Sequence, residues 1–357
     1  MANKVLMKGN EAIGEAAIHA GCQCFFGYPI TPQTEVAAYM ARKMPKIGRV
    51  FLQAESEVAA INMVYGAAGS GVRVMTSSSS PGISLKAEGI SYIAGAELPC
   101  VIVNIVRGGP GLGGIQPAQS DYFQATKGGG HGDYRLVVYA PASIQELVDT
   151  VQEAFDVADQ YRTPVMVMGD GMLGQMMEPV EFKERNVTRN LPEKTWAANG
   201  LRGREKHNVI NSLFLKPEEL EDHNKKLQAK YAEIEKNEVK FEAYNLDKEV
   251  DLTIVAYGTT SRIAKNAIKM LEKEGINVGL IRPITLWPFP SKAIEEAVEK
   301  SKYGFMSVEM SEGQMIEDVK LAVNGKKPVH FYGRSGGMVP TPSEVADKIR
   351  EIVGGAK

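Results

Sequence analysis

Glu57 is a residue whose type and position could move a proton. It stands in "LQAESEVAAINM", after a strand-like apolar run and at the start of an apolar helix. A carboxylate there is poorly solvated, which raises its pKa and suits it to share a proton with a ring nitrogen. An acid at a helix N-terminus is also favourable in its own right, and spacing alone does not choose between Glu57 and Glu55. Arg107 ends a second apolar run in "VNIVRGGPGLGGIQPAQSD". A guanidinium there suits bidentate capture of a carboxylate or phosphate, and the glycines from Gly108 onward let backbone approach a ligand closely. A structural salt bridge is the competing reading of Arg107. Thr31 lies in "GYPITPQTE", where two prolines stiffen the loop that presents its hydroxyl. The same pattern also reads as a helix start, with Thr31 as N-cap and Pro32 at the first helical position. Ser79 and Ser80, in "TSSSSPG", form a polar strand-to-helix turn that suits ligand contacts or capping equally. His131 sits in "GGGHGD" with no second His or Cys at metal-ligand spacing, so it reads as a pocket-edge residue and no metal site is expected.

Parallel strands must position these residues. Short apolar runs alternate with helical patterns through residues 1–180, the signature of βαβ units around a parallel sheet. The runs are "CQCFFGYPI", "RVFLQAE", "VRVMTSSSS", "PCVIVNIV", "YRLVVYAP" and "TPVMVMGD". The last is apolar throughout and should be buried on both faces. Ser143 and Glu146 read as a capping box before the stripe Ile144, Leu147, Val151, Phe155 and Ala158. Residues 181–250 lose the rhythm and read as a connector without strand alternation. It carries a highly charged helix with a narrow stripe at Leu220, Leu227, Tyr231 and Ile234. The rhythm returns over 251–357 as a second, smaller α/β domain. Ligands in open α/β sheets bind beyond the carboxyl ends of strands, which is where Thr31, Glu57, Ser79, Ser80 and Arg107 all fall.

Composition narrows the function class. The chain has 357 residues, is 44% hydrophobic and 24% charged, and carries a formal net charge of −2. That balance gives no reason to expect nucleic acid or an anionic membrane as partner. There is no apolar run of about 18 residues to span a membrane, and the first residues lack the long apolar core of a signal peptide. A cytoplasmic protein is expected. Cys22, Cys24 and Cys100 are too few to hold an iron–sulfur cluster, which usually takes about four thiolates. Cys22 and Cys24 read as buried structural thiols.

The motifs "GYPITP", "QAESEVAAINMVYGAA", "MTSSSSPG", "IVRGGPG" and "GGGHGDYR", in this order and spacing, resemble the α subunit of the 2-oxoacid:ferredoxin oxidoreductases. "RGGPGLGG" and "SSSSPGIS" look closest to the branched-chain, 3-methyl-2-oxobutanoate (2-ketoisovalerate) members. The resemblance implies a pyrimidine-type thiamine diphosphate-binding parallel-sheet domain followed by a transketolase C-terminal-like α/β domain. "NVGLIRPITLWPFP" is the matching stretch of the second. It implies that Glu57 hydrogen-bonds the aminopyrimidine ring of thiamine diphosphate, with Ser79 and Ser80 beside the cofactor. Arg107, Thr31 and Gly108 would hold the substrate. The reaction implied is oxidative decarboxylation of a 2-oxoacid to its acyl-coenzyme A, with electrons passing to 4Fe-4S clusters and ferredoxin. The family splits this work among chains. Mg2+ and the diphosphate would sit on a β subunit and the clusters on a ferredoxin-like subunit, with a γ subunit completing the complex. Around the pocket loops the evident cations are Arg107 and Lys127, which leans toward an aliphatic oxoacid, since a buried unpaired carboxylate is costly. 2-Oxoglutarate and pyruvate are the alternatives, as is a non-catalytic assembly subunit.

One motif suggests a diphosphate grip on this chain. Gly169, Asp170 and Gly171 are followed by Asn199 after 27 intervening residues, the spacing of a diphosphate-and-magnesium motif. A genuine motif places a helix and then a strand between its ends. The intervening segment here has Pro179 and Pro192 and neither period. Asp170 therefore reads as a turn residue closing its strand.

Overall fold

Apolar runs without alternation become parallel strands when helices cover both sheet faces. The computed structural model describes residues 4–182, 189 and 191–355. In chain order the first unit runs β1 (Val5–Lys8), α1 (Gly9–His19), β2 (Cys24–Gly27), α2 (Thr34–Lys43), β3 (Val50–Gln53), α3 (Glu57–Gly69), β4 (Val74–Ser78) and α4 (Pro81–Gly95). It continues through β5 (Cys100–Val106), α5 (Tyr122–Thr126), β6 (Val137–Tyr139), α6 (Ile144–Tyr161), β7 (Pro164–Asp170), α7 (Gly171–Gln175) and β8 (Met177–Val180). Then follow α8 (Pro217–Asn237), β9 (Phe241–Tyr244), β10 (Leu252–Val255), α9 (Gly258–Glu272), β11 (Val278–Pro283) and β12 (Thr285–Trp287). The chain closes with α10 (Ser291–Ala297), β13 (Phe305–Glu309), α11 (Met315–Val323), β14 (Val329–Gly333) and α12 (Pro342–Gly355).

Among the described residues the main sheet has seven strands, ordered β12-β6-β7-β5-β4-β2-β3, and all but β12 pair in parallel. β4, β5 and β7 are buried along their whole length. The β2-to-β3 connection runs one way along the sheet, and the β3-to-β4 and β4-to-β5 connections run the other. Right-handed crossovers therefore put α2 on one face and α3 with α4 on the opposite one. The reversal makes a switch point between β2 and β4, where a crevice opens beyond the strand ends.

Two strands cross the expected domain boundaries. β9, inside the stretch read as a strandless connector, pairs antiparallel with β11 and completes a second sheet ordered β14-β13-β10-β11-β9. β12 leaves the second unit and pairs antiparallel with β6. The connector strand thus closes one edge of the second sheet and β12 closes one edge of the first unit's sheet, which hides backbone groups that would otherwise invite foreign pairing. One apolar cluster accordingly runs from the first unit into Tyr257, Ile281, Leu286 and Trp287. The charged helix is α8. It buries Leu227, Tyr231 and Ile234 but leaves Leu220 exposed. Lys226 and Lys230 fasten it to Glu97 of the first unit.

Ser143 caps α6 as expected, accepting from the Glu146 amide at 3.2 Å. The reciprocal half of the box is different. The Glu146 carboxylate accepts from the Ala142 amide at 2.7 Å and holds Arg282 of β11 through two bonds of 2.9 Å. An interdomain guanidinium has recruited the capping acid. Cys22 and Cys100 are buried, and burial pushes both thiols up to about 12, so they are inert. Cys24 is half-buried. Among the described residues, no helix is long and apolar enough to cross a membrane.

Candidate functional site

Ser56 caps α3 by accepting from the Ala59 amide at 3.1 Å, and this places Glu57 in the first turn, only 6% exposed. The carboxylate faces α4 at Gly82. A Cβ added to Gly82 would lie 2.7 Å from Glu57 Oε1 and 2.1 Å from Ser78 Oγ. Glycine is therefore required there by the close approach of the acid. Glu55 is exposed, so the structure separates two candidates that spacing left level.

β4 ends in a row of buried hydroxyls. Ser77 Oγ donates to Gln33 Oε1 at 2.6 Å, tying the β2 loop to β4 across the switch point. Ser78 Oγ and Ser79 Oγ are buried with no hydrogen-bond partner among the described residues. Ser80 differs from Ser79. Its hydroxyl donates to Asp121 Oδ2 at 2.7 Å and accepts from the Arg107 amide at 3.1 Å. Its backbone φ of 25° is a strained value for a residue with a side chain. Asn104 completes the arrangement, donating to Asp121 at 2.9 Å. Burial raises the Asp121 carboxyl above its ordinary range, and the bonds from Asn104 and Ser80 oppose that rise.

Arg107 is 7% exposed and forms no salt bridge among the described residues. Its Nη1 donates to the Thr31 carbonyl at 2.9 Å and its Nη2 to the Leu112 carbonyl at 3.0 Å. Its Nε is buried without a partner. A guanidinium held by two neutral carbonyls keeps its full charge for an anion. Thr31 is brought to Arg107 through its backbone. It does not cap α2, whose first residue is Thr34 after the N-cap Gln33. Gly108 donates its amide to the Gln116 carbonyl at 3.0 Å and accepts from the Gly114 amide at 2.8 Å. Its backbone groups are spent within the loop, and it meets the second unit at Gly336 and Gly337.

A cleft of about 580 Å³ lies over this loop. Arg107, Ser80 and Asp121 form one wall, and Glu312, Gln314 and Ser335 of the second unit form the other. Gln119 locks the walls together. Its Nε2 donates to the Tyr257 carbonyl at 2.9 Å and its Oε1 accepts from the Met310 amide at 3.0 Å. Arg107 is the sole cation among the lining residues. Lys127 is consumed by an ion pair with Asp318, and His131 is exposed away from the cleft.

Asp170 caps α7, accepting from the Met172 and Leu173 amides at 2.8 and 3.1 Å. Asn199 bonds Arg204 at 3.0 Å, and neighbouring Ala198 bonds the carbonyl of Gly69 at the end of α3. A crossover helix ends at the opposite sheet edge from the strand ends. Asp170 and Asn199 therefore lie on opposite edges and build no common site. Residues 183–188 and 190 of the segment between them lie outside the described residues. Among the described residues no three of His, Cys, Asp and Glu converge to hold a metal ion.

Lys86 escaped the sequence reading. It is fully buried on α4, with Nζ donating to Thr76 Oγ1 at 2.7 Å and to the Ser77 carbonyl at 3.1 Å. The signal was present in the spacing Gly82, Lys86, Gly89, which marks one face of α4.

Residues 15–243 match the family described as "Pyruvate flavodoxin/ferredoxin oxidoreductase, thiamine diP-bdg". The chain belongs to the 2-oxoacid:ferredoxin oxidoreductase family. Residues 250–345 match "Pyruvate:ferredoxin oxidoreductase core domain II". A ketoisovalerate oxidoreductase subunit VorB of Methanothermobacter thermautotrophicus is 53% identical, over 98% of both chains. A 2-oxoglutarate synthase subunit KorA of Archaeoglobus fulgidus is 38% identical over 92% of this chain and 94% of its own. Among solved structures, the 2-oxoglutarate:ferredoxin oxidoreductase of Magnetococcus marinus, with 2-oxoglutarate, coenzyme A and succinyl-CoA bound, is 28% identical with a TM-score of 0.89. It aligns over 99% of this chain, which spans 66% of that one. A split-gene transketolase β4 tetramer, 16% identical at a TM-score of 0.60, shares the fold.

The residues at the switch point of this family member fit a cofactor. Three buried polar atoms lack partners: Ser78 Oγ, beside the acid that abuts Gly82, and Ser79 Oγ and Arg107 Nε, just past the ends of β4 and β5. Buried donors and acceptors are ordinarily satisfied, so such a cluster marks a place for a polar ligand. Gly82→Ala drives a methyl group into Ser78 Oγ and Glu57 Oε1. We expect it to weaken thiamine diphosphate binding by about tenfold or more, while overpacking lowers stability by about 1–3 kcal/mol. Calorimetric titration of the cofactor alongside thermal denaturation separates the two effects.

Proposed function

We propose that this chain is the α subunit of a coenzyme A-acylating 2-oxoacid:ferredoxin oxidoreductase acting on branched-chain oxoacids, above all 3-methyl-2-oxobutanoate. It supplies the pyrimidine half of a thiamine diphosphate site. Mg2+ and the diphosphate belong to a β subunit and 4Fe-4S clusters to a ferredoxin-like subunit, with a γ subunit completing a cytoplasmic complex that reduces ferredoxin. The observation that carries the reading is Glu57 buried at the switch point against Gly82, with the unpartnered hydroxyls of Ser78 and Ser79 leading to Arg107.

Thiamine diphosphate, when bound, supplies the nucleophilic carbon that decarboxylation of a 2-oxoacid needs. Glu57 holds a proton at the pyrimidine ring nitrogen, in a pocket where burial strengthens that hydrogen bond. The Ser78 and Ser79 hydroxyls, buried without partners, would be available to polar atoms of the cofactor. Arg107 receives the oxoacid carboxylate on a guanidinium that Thr31 and Leu112 hold in place through their carbonyls. Fixing that carboxylate orients the neighbouring carbonyl and removes the entropy of finding the reactive pose.

The oxoacid side chain is read from charge. Among the described residues Arg107 is the cleft's one lining cation, and Asp121 and Glu312 also line it. The distal carboxylate of 2-oxoglutarate would meet two acids and no second cation, a costly arrangement. An aliphatic side chain meets no such penalty, and the 53% identity to a ketoisovalerate oxidoreductase subunit agrees. The test is a panel of oxoacids given to the assembled complex with coenzyme A and ferredoxin. We expect kcat/KM for 3-methyl-2-oxobutanoate to exceed that for 2-oxoglutarate by about 100-fold, equivalent to about 2.7 kcal/mol. Equal use of 2-oxoglutarate would overturn the assignment.

A further inference from the structure

We propose that Lys86 is a positioning residue for the thiamine site, its buried ammonium setting the charge against which Glu57 shares a proton with the pyrimidine ring nitrogen. This rests on the reading of Glu57 given above.

The placement follows from helix spacing. Gly82, Lys86 and Gly89 fall at i, i+4 and i+7 of α4 and share one face. Gly82 abuts Glu57, the first residue of α3, and a Cβ on Gly89 would lie 2.5 Å from Ile61 one turn further along α3. Lys86 therefore lies between those two contacts, in the seam where α3 and α4 touch. It is fully buried and its described hydrogen bonds go to a hydroxyl and a carbonyl, not to an anion.

A buried ammonium in that position destabilises the fold relative to an apolar residue of equal size. Packing alone would be met by an apolar side chain such as methionine. Stability therefore does not explain Lys86, whereas its place one turn from the Gly82–Glu57 contact and the pull of the Glu57 charge on it do.

The surrounding groups leave Glu57 as its one ionic neighbour. From β4 come only Thr76 and Ser77, and β5 carries no ionisable side chain except the inert Cys100. On β7 the sole charge is Asp170, tied to its own turn. On α4 itself, Glu88 is exposed and bonded to Tyr92. Burial lowers the lysine to about 7, and the charge of Glu57 opposes that shift. Below that pH Lys86 is a cation, and as pH rises through about 7 that charge beside the shared proton is lost.

The test is near-ultraviolet circular dichroism of thiamine diphosphate bound in the assembled complex, followed across pH, with kcat and KM measured in parallel. The wild type should show a transition with its midpoint near 7. Lys86→Met should abolish that transition or move it by about one pH unit or more, lowering kcat about tenfold with the oxoacid KM within about twofold. Thr76→Val, which removes one acceptor from Nζ, should move the midpoint downward. It serves independently of whether the methionine variant folds. A wild-type complex with no transition between about pH 6 and 8, or a Lys86→Met complex with the wild-type midpoint and kcat, would overturn the proposal. Glu57→Gln separates the two readings. Full activity with an unchanged spectrum there sinks the role of Glu57, whereas loss of both beside an unaffected Lys86→Met sinks that of Lys86 alone.

Discussion

Glu57→Gln should cost the assembled complex about 10²- to 10⁴-fold in kcat for oxoacid-dependent ferredoxin reduction, the range over which a positioned proton-transfer group contributes. The amide keeps the shape of the acid, so the contact with Gly82 and the cap by Ser56 survive. Subunit assembly should therefore change little, with any loss of stability traceable to the buried Lys86 losing its counter-charge. What the amide cannot do is exchange a proton with a ring nitrogen. Steady-state kinetics and size-exclusion chromatography on the same preparation decide the matter. Full activity in a complex that assembles normally would remove Glu57 from the mechanism.

Arg107→Ala should lower kcat/KM for the oxoacid by about 30- to 1000-fold. That corresponds to loss of about 2–4 kcal/mol from a charge-assisted, bidentate grip. The side chain also braces the Thr31 and Leu112 carbonyls, so part of the loss will come from a looser loop. Arg107→Lys divides these contributions. It restores the charge without the planar fork, and we expect it to recover less than a tenth of the loss. An unchanged dependence on oxoacid concentration in Arg107→Ala would assign Arg107 to structure alone.

Much of the site was legible because strands buried on both faces announce themselves as unbroken apolar runs. β5 and β7 come close to such runs, broken by Asn104 and by the terminal Asp170, while β4 passes from Val74 and Met75 into the buried hydroxyls of its carboxyl end. Glu57, Ser79 and Arg107 were singled out as candidates in that way. The separation of Glu57 from Glu55 was not, since it depends on which residue starts α3 and on Gly82 of another helix. The opposite fates of Ser79 and Ser80 depend on Asp121, more than 40 positions away in sequence. Thr31 reads as a cap because its neighbour is proline, yet α2 begins three residues later. The second wall of the cleft, the pairing of the connector strand β9 and the crossing of β12 to the first sheet arise only from tertiary pairing. Lys86 was passed over because a lysine in a helical pattern is ordinarily a solvated one. Its glycine neighbours at helical spacing held the contrary signal.

A structure of the assembled complex with thiamine diphosphate bound tests the central claim most directly. The account predicts the pyrimidine ring nitrogen within hydrogen-bond distance of Glu57, with Mg2+ and the diphosphate on another polypeptide. A pyrimidine ring remote from Glu57, or a diphosphate held on this chain at Asp170, would contradict it.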